Sequence, residues 1–571
     1  MKKIFLFTCI LATVLLFSGC KKMLVEQPHG VLTPDFYKST QGLNAALTAS
    51  YAGTRTIWGC EDYFSLTTPA TDEFMRGNDG NSDMFLLAPS YQATDGKGNS
   101  LWNNCYTYIN TCNAVIQFAP DVTGISDDLK KRMVAEAKFL RANYYFVLVQ
   151  LWGDVTLNTK FNSTPSTSAK RDPMADVYNT IIQDLKDAIA DLPLSPRTKG
   201  VDPGRATAVA AKHVLAKVFL TRAGGKAKQG TDYHDAYTMA MDVINNAGAS
   251  GVSLLPDFAS VFAEGNEGSN EVLWAVQHTS SLAYNGSPNQ DNRTPDNMLV
   301  HLFVPQYEKV DGMQRDIADG RPYIRTIPTL WLIDTIFKER VNDTRYYKTF
   351  QTVWYCNNAS SIPKWPNPLP AGAPAGAVAG GPKFKLGDTA IYLPQGPRTA
   401  AQIAAAPYTL IPSTQYNPRM GPALSKYVDT KRSDMNAPSI RPVIAYRLAE
   451  TYLIAAEALM MDGRITDAVP YVNAVRERAA YPSGNKALMD ITAADLTLNF
   501  ILDERSRELA GENVRWLDLV RTGQLEVRIK QHTPDCRANF QSPKNLLRPI
   551  PQDQINAVST GPAYGQNTGW L

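Results

Sequence analysis

The sequence has little of what catalytic and metal sites are usually built from. Its six histidines (His29, His213, His234, His278, His301 and His532) are scattered through 571 residues and show no metal-ligand spacing. There is no G-x-S-x-G elbow, no H-E-x-x-H and no Walker P-loop, so the commonest signatures of hydrolases, zinc peptidases and nucleotide enzymes are missing. Cys-x-x-Cys does not occur. Charge of one sign is also lacking. The 57 Lys and Arg nearly balance 54 Asp and Glu, and the formal net charge is +3. That offers no concentrated basic footprint for nucleic acid. After the first twenty residues no apolar run reaches the roughly 20 residues that a spanning helix needs.

What is present begins at the start of the chain. Met1-Lys2-Lys3 is a short basic opening, and Ile4 to Phe17 is an uncharged apolar run too short to span a bilayer comfortably. Ser18-Gly19 follows, then Cys20. A cysteine directly after a small pair is the pattern of a bacterial lipoprotein signal. Residues 1–19 are then removed, Cys20 becomes the first residue, and several acyl chains on it anchor the chain firmly to a membrane. The competing reading is an ordinary secretory signal with an incidental cysteine. Phe17 stands where such signals usually carry Leu. Losing Lys2 and Lys3 leaves the mature chain near +1. Cys9 leaves with the signal and Cys20 is acylated, so Cys60, Cys105, Cys112, Cys356 and Cys536 remain. Five thiols cannot all pair. Cys105 and Cys112 stand two helical turns apart, about 10 Å, too far for a bridge. Buried free thiols are expected.

The mature chain, 44% hydrophobic and 10% aromatic, has ample material for a large core. Helical periodicity is clearest from Asp128 to Trp152, where Met133, Ala137, Leu140, Tyr144, Val147 and Leu151 form one stripe before Gly153-Asp154. Further helices are expected over Thr207–Arg222, Tyr233–Asn246, Ile444–Met461, Thr466–Ala479 and Leu496–Ala510. Ala211, Leu215, Gly224 and Ala236, and again Ala449, Tyr452, Gly463 and Ala468, loosely echo the small-residue spacing of a tetratricopeptide hairpin. Between the helical ends, about 248–434, the chain is rich in Pro, Gly and Asn, with short strand-like runs such as Val272–Gln277 and a Pro/Gly/Ala surface tract at Pro368–Pro382. A second polar, Gly-rich stretch covers Gly77–Ser100. The fold class expected is mostly α: tetratricopeptide-like helix pairs supporting a loop-rich face with a few short strands. Loops on such a scaffold are where binding usually resides.

Two acidic arrangements deserve weighing. Asp79, Asn81 and Asp83 alternate like calcium ligands but lack the ordered Asp, Gly and Glu of an EF-hand, which favours a solvated loop. Glu504 and Glu508 share one helix face, whereas glycosidase carboxylates flank a substrate from two sides. With Arg505, Arg507 and Arg515 close by, structural ion pairs are the better reading.

Several blocks, in order along the chain, resemble the SusD/RagB family of outer-membrane nutrient-binding lipoproteins of Bacteroidetes. They are MLVEQPHGVLTPDF (Met23–Phe36), AEAKFLRANYYFVLVQLWGDVTL (Ala135–Leu157, with Thr156 where Pro is common), RLAETYLIAAEAL (Arg447–Leu459), ILDERSRELAGENVRWLDLVRTG (Ile501–Gly523), LRPIPQDQI (Leu547–Ile555) and GQNTGW (Gly565–Trp570). The resemblance spans residues 20–571 and implies one nutrient-binding domain. Its parts would be an N-terminal one of about 20–240, a loop-rich insert of about 248–434 and a C-terminal helical one of about 435–571. It further implies a non-catalytic outer-membrane protein, lipid-anchored and facing the cell exterior. Its partner would be a TonB-dependent barrel of the SusC type, its ligand an oligosaccharide, and in some relatives a peptide. It implies no cofactor.

The same resemblance locates the ligand face. Relatives that stack sugars often carry tryptophans just after a segment like Thr71-Asp72-Glu73. Here Phe74, Met75, Arg76, Gly77, Asn78 and Asp79 follow, one aromatic among polar residues. The second loop expected at the face is Tyr307–Arg325, with Arg315, Arg321 and Tyr323. The candidate ligand set is therefore Asp72, Phe74, Arg76, Asn78, Asp79, Tyr307, Arg315, Arg321 and Tyr323. Its polar balance points to a polar or acidic glycan, or a peptide, rather than a starch-like helix. A surface glycan hydrolase with an unrecognised site is the alternative from another class. The anchor is testable first: Cys20→Ala should move the protein from the membrane fraction to the soluble fraction, and unchanged membrane retention would disprove the lipoprotein reading.

Overall fold

The computed structural model describes residues 34–281 and 296–570. Cys20 and the signal segment lie outside the described residues. So does most of the Met23–Phe36 block.

Four helices of the N-terminal part pack on one another in sequence order. They are α1 (Thr40–Ala52), α2 (Gly96–Phe118), α3 (Asp127–Trp152) and α4 (Met174–Asp191). α3 starts where Ser126 Oγ accepts the Leu129 N–H and Asp127 and Asp128 meet the positive end of the helix. It ends at Gly153, whose φ of +75° strains any other residue. Every residue of its expected stripe is buried. Burial goes further than the stripe predicts, because α3 is central and enclosed nearly all round from Ala135 onward. Its polar residues are accordingly paired inside. Arg141 makes a bidentate contact with Asp184 of α4 at 2.7 and 2.8 Å and donates to Asn113 Oδ1 of α2. Glu136 accepts from Arg132, Arg205 and Tyr51. α1 and α4 are additional to the helices expected, although Val177, Ile181, Leu185 and Ala188 of α4 keep the helical period and are all buried.

Two helical hairpins follow, as the small-residue spacing suggests: α5 (Ala208–Ala223) with α6 (Asp232–Asn245), and α7 (Leu448–Met461) with α8 (Ile465–Ala479). α6 packs on α7, so the hairpins stack across two hundred residues of sequence. Ala211, Leu215, Ala236, Ala449 and Ala468 are buried at these contacts. Gly224 is obligatory for a steric reason: a Cβ there would lie 1.8 Å from the Arg521 carbonyl oxygen. The start of α7 corrects the expected helix. Val443–Arg447 is a strand paired antiparallel with Val272–Val276, with Val276 opposite Val443 and Val272 opposite Arg447. Its apolar residues fit either period, and a strand partner available only in the folded chain decides the outcome. α9 (Leu498–Leu509), α10 (Arg515–Arg521) and α11 (Leu525–His532) complete the helical part.

One apolar core runs from Tyr37 to Trp570 and includes both helical parts. The loop-rich insert adds a smaller core around Tyr307, Met313, Trp354, Phe384 and Ile391. This covers a three-stranded sheet of Val353–Tyr355, Thr389–Tyr392 and Thr409–Leu410, the last pair parallel. Pro368–Pro382 contains neither helix nor strand. Cys60, Cys105, Cys112, Cys356 and Cys536 are buried free thiols.

The insert is joined to the helical part by buried charge. Glu508 of α9 meets Arg345 at 3.0 Å and also engages Arg447 and Arg478. Arg345 reaches Glu504 at 2.8 Å and Asp343 at 2.7 Å. Arg447 reaches Glu512 at 2.8 Å and Glu271 at 3.2 Å, and Arg478 holds Glu271 at 3.0 Å. Glu504 and Glu508 are therefore structural, as their shared face suggests. Most of their cations nevertheless come from distant segments, and of the three neighbouring arginines only Arg507 pairs with either, at 3.0 Å from Glu504. Burial opposes ionisation of Glu504, but Arg345, Arg476 and Arg507 outweigh it and hold the carboxyl down at about 2.

Removing one member of such a buried set leaves uncompensated charge, which typically costs about 3–5 kcal/mol. Glu508→Ala should therefore lower the unfolding free energy by about that amount in a denaturant titration. A loss under about 1 kcal/mol would contradict a structural role. The depressed Glu504 carboxyl sets the sign with pH. Its stabilisation is complete above the ordinary value of 4.5 and is lost as pH falls toward about 2. The melting temperature should drop through that window, less steeply in Glu504→Gln.

Candidate functional site

Three loops that are far apart in sequence converge at the end of a short strand pair. Phe74–Arg76 pairs antiparallel with Thr326–Pro328, Arg76 standing opposite Thr326. Beyond the pair, Gly77 N–H donates to the Arg325 carbonyl at 2.8 Å and Asp79 N–H to that of Ile324 at 3.3 Å. A Cβ on Gly77 would sit 2.2 Å from the Ile324 oxygen, so this approach needs glycine. The third loop joins through Asn78 N–H to the Pro418 carbonyl at 2.7 Å and Gln306 N–H to that of Arg419 at 3.0 Å.

The side chains at this junction are mainly cationic and amide. Arg76 donates to its own loop, from Nε to the Gly80 carbonyl at 2.9 Å and from Nη2 to that of Asn78 at 3.1 Å. Arg419 Nε donates to Asn78 Oδ1 at 3.3 Å, and Asn78 Nδ2 to Asp79 Oδ1 at 2.6 Å. Arg325 bridges Glu61 at 2.9 Å and the Asp79 carbonyl at 2.8 Å. The guanidiniums of Arg321 and Arg325 lie over the Tyr323 ring, 4.5 and 4.9 Å from its centroid. Among the described residues Arg76, Arg321 and Arg419 have no carboxylate at ion-pair distance. Each keeps donors for an outside acceptor.

The structure thus brings Arg76, Asn78 and Asp79 together with Arg321 and Tyr323. Arg315 lies further along the second loop, half-exposed and 3.7 Å from Glu308. Three members of the candidate ligand set are not on this surface. Asp72 is fully buried and forks onto Arg515 at 2.6 and 2.7 Å, so its oxygens are spent on holding α10. Phe74, the one aromatic of its stretch, packs edge-on against Phe303 inside the core. Tyr307 is buried in the smaller core, where its hydroxyl donates to the Gly320 carbonyl at 2.8 Å and accepts from Asp316 N–H at 3.2 Å. It shapes the loop rather than presenting a face. Strand alternation explains Phe74 and Arg76: two residues apart they lie on the same side of the strand axis, but the strand ends between core and solvent. Beside Asp72, burial pushes the Glu73 carboxyl up to about 7 against the attraction of Arg515.

Arg325 and Arg419 join the surface without having been singled out in the sequence. Arg325 closes the second expected loop, but Arg419 lies in a Pro-rich run whose only signal is composition. Trp331, just past the strand pair, is the nearby indole that the 74–79 stretch lacks. It is stacked on His532 at 4.7 Å, with the Arg528 guanidinium 5.2 Å from the ring. Asn81 caps a short helix by accepting from Asp83 and Met84 N–H, and Asp83 accepts from Ser90.

Comparison with known proteins is consistent along the whole chain. The profile described as "SusD family" matches residues 224–570, and one described as "Starch-binding associating with outer membrane" matches 42–220. A "SusD-like protein P2" of Formosa agariphila is 27% identical, over 96% of this chain and 98% of that protein. A solved "Laminarin binding SusD-like protein" superposes with a TM-score of 0.65 at 24% identity, covering 94% of this chain and all of that one. A surface glycan-binding protein A of Bacteroides thetaiotaomicron, solved with laminarihexaose, gives 0.64 at 20% identity, covering 91% and 98%.

The distinction between surface and buried residues is measurable. Asp72→Ala should cost about 3–5 kcal/mol of stability by orphaning Arg515. Arg321→Ala should cost less than about 1 kcal/mol, as surface changes do. Equal effects in chemical denaturation would show that the assignment of these two residues is wrong.

Proposed function

The chain belongs to the SusD family, and from that premise we propose that it is a lipid-anchored protein of the outer-membrane surface that binds oligosaccharide and passes it to a SusC-like TonB-dependent barrel, without catalysing a reaction. The observation that carries the ligand class is the junction of three loops presenting Arg76, Arg321 and Arg419, whose guanidiniums have no carboxylate at ion-pair distance among the described residues. A guanidinium fork matches carboxylate or sulfate bidentately and also bonds paired hydroxyls. The Tyr323 ring is already covered by two guanidiniums, so broad aromatic stacking on a neutral helix is disfavoured. A polar or acidic glycan fits best, and an acidic peptide offers the same carboxylate chemistry.

The alternative of glycan hydrolysis has less support. Glu504 and Glu508 are fully buried and saturated by arginine. Capture for transport suits the arrangement: peripheral charge raises the encounter rate and gives binding that salt weakens.

The expected outcome is measurable by calorimetry on the soluble chain starting after Cys20. Uronate-bearing or sulfated oligosaccharides should bind more tightly than maltohexaose, and affinity should fall with salt. Arg321→Ala combined with Arg419→Ala should weaken binding by about tenfold, equivalent to some 1.4 kcal/mol. Binding of neutral α-glucan that survives both changes, with no binding of acidic ligands, would overturn the assignment. Shortened products would favour the hydrolase, and selective capture of acidic peptides the peptide reading. Detergent extraction of the native protein should co-purify a TonB-type barrel.

A further inference from the structure

A second surface differs chemically from the arginine-rich one. It is a groove of about 740 Å³ between Tyr106 of α2, the connection from Thr156 to Ala169 and Gln554 near the C-terminus. All eleven residues lining it are uncharged, and eight end in an aliphatic hydroxyl or a carboxamide. Beside the lining, Lys170 pairs with Asp172 and Asp553 accepts from Asn99, while Lys160 of the same connection is exposed and stands outside the lining.

The walls are held by bonds that leave several of the groove's own side chains free. Asn113 of α2 donates to the carbonyls of Asn158 and Lys160, both at 3.0 Å. Asn110 exchanges two bonds with the backbone of Asn162, and Gln117 accepts from Phe161 N–H. On the far side, Ser559 and Thr560 N–H donate to the Thr167 carbonyl. Thr156 Oγ1 is tied to the Lys170 carbonyl and the Tyr564 hydroxyl. The connection is thus pinned along its length to α2 and to the C-terminal segment. By contrast, the carboxamides of Asn158 and Asn162 and the hydroxyls of Ser163 and Thr164 form no hydrogen bond among the described residues. Gln554 uses Oε1 on the Trp102 indole N–H at 3.3 Å and keeps its NH2 free. Tyr106 lends an aromatic edge, its hydroxyl donating to the Thr156 carbonyl at 2.9 Å.

We propose that this groove is a second carbohydrate site, selective for uncharged oligosaccharide. Free carboxamides and hydroxyls on a pinned wall are paired donors and acceptors for sugar hydroxyls, and pre-organisation lowers the ordering cost of binding. The absence of any charge in the lining means that an acidic sugar would give up hydration there without gaining a cation. The volume lies within the range of small-ligand clefts, roughly 300–1,000 Å³. The two surfaces are independent. Lys97 on α2 contacts Glu61, the partner of Arg325. Tyr106 follows nine residues later, which at about 100° per residue is the opposite side of that helix.

The test uses the soluble chain and named probes: maltohexaose, laminarihexaose and xylohexaose as neutral ligands, and hexagalacturonate as the acidic one. At least one neutral hexasaccharide should bind with an affinity indifferent to salt. Asn158→Ala combined with Asn162→Ala should weaken that binding by about tenfold or more, whereas Arg321→Ala combined with Arg419→Ala should change it by less than about twofold. Ser163→Trp, an exposed position, should block it by filling the groove without altering the melting temperature. Hexagalacturonate binding should show the converse pattern, so failure of the groove and failure of the arginine surface read out separately. The proposal is overturned if no neutral hexasaccharide binds, if neutral binding is lost with the arginines, or if the groove variants leave it unchanged. Groove variants that lose only a co-purifying barrel would make it a protein interface and equally overturn it.

Discussion

The interaction on which the rest depends is the buried charge set around Glu508. Arg345 enters it from the loop-rich insert, Arg447 from the end of a strand and Arg478 from the end of α8. Apolar packing alone does not specify how a Pro- and Gly-rich insert sits on a helical scaffold, because burial is non-directional. Guanidinium–carboxylate pairs have fixed geometry and, once out of water, tolerate few alternatives. Glu508 therefore works as a register pin between insert and helices. The strand ending at Arg447 follows from the same constraint, since its last side chain has to reach this set.

A second pin has the same logic closer to the surface. Asp72 grips Arg515 and so ties the start of the first strand to α10. With that end held, Gly77 can run against Ile324 and Arg325, and the three loops meet. The side chains outside the junction are those that the pins did not consume. Arg345, Arg447 and Arg515 inside are paired with carboxylates, whereas Arg76, Arg321 and Arg419 outside keep donors in hand. The same division separates the two surfaces. One is rich in arginine, while the groove along the Thr156–Ala169 connection is lined mostly by hydroxyls and amides.

Much of this architecture is legible in the residue pattern. Long helices with strong period and clear ends, such as α3 with Ser126 before it and Gly153 after it, follow from local chemistry. The small residues of the hairpins anticipate close helix contacts. The ion-pair role of Glu504 and Glu508 follows from their shared face. Other features are locally ambiguous: Ile444 to Arg447 carries an apolar pattern that serves helix or strand. Asp72, Phe74 and Tyr307 have types suited to binding, and nothing in their neighbourhood reveals that each is consumed inside.

The chain read alone thus determines a helical scaffold and a family, because each rests on short-range periodicity or ordered blocks. It also names two stretches, around residues 74–79 and 307–325, that prove to be neighbours. Only the folded molecule decides which side chains of those stretches reach solvent, that Arg419 joins them, and that the Ser- and Thr-rich connection after Thr156 lines a groove with α2 and a residue near the C-terminus. The physical reason is that burial and pairing depend on partners hundreds of residues away. Asp72 meets Arg515 and Asn78 meets Pro418 and Arg419, and no local spacing encodes such a meeting.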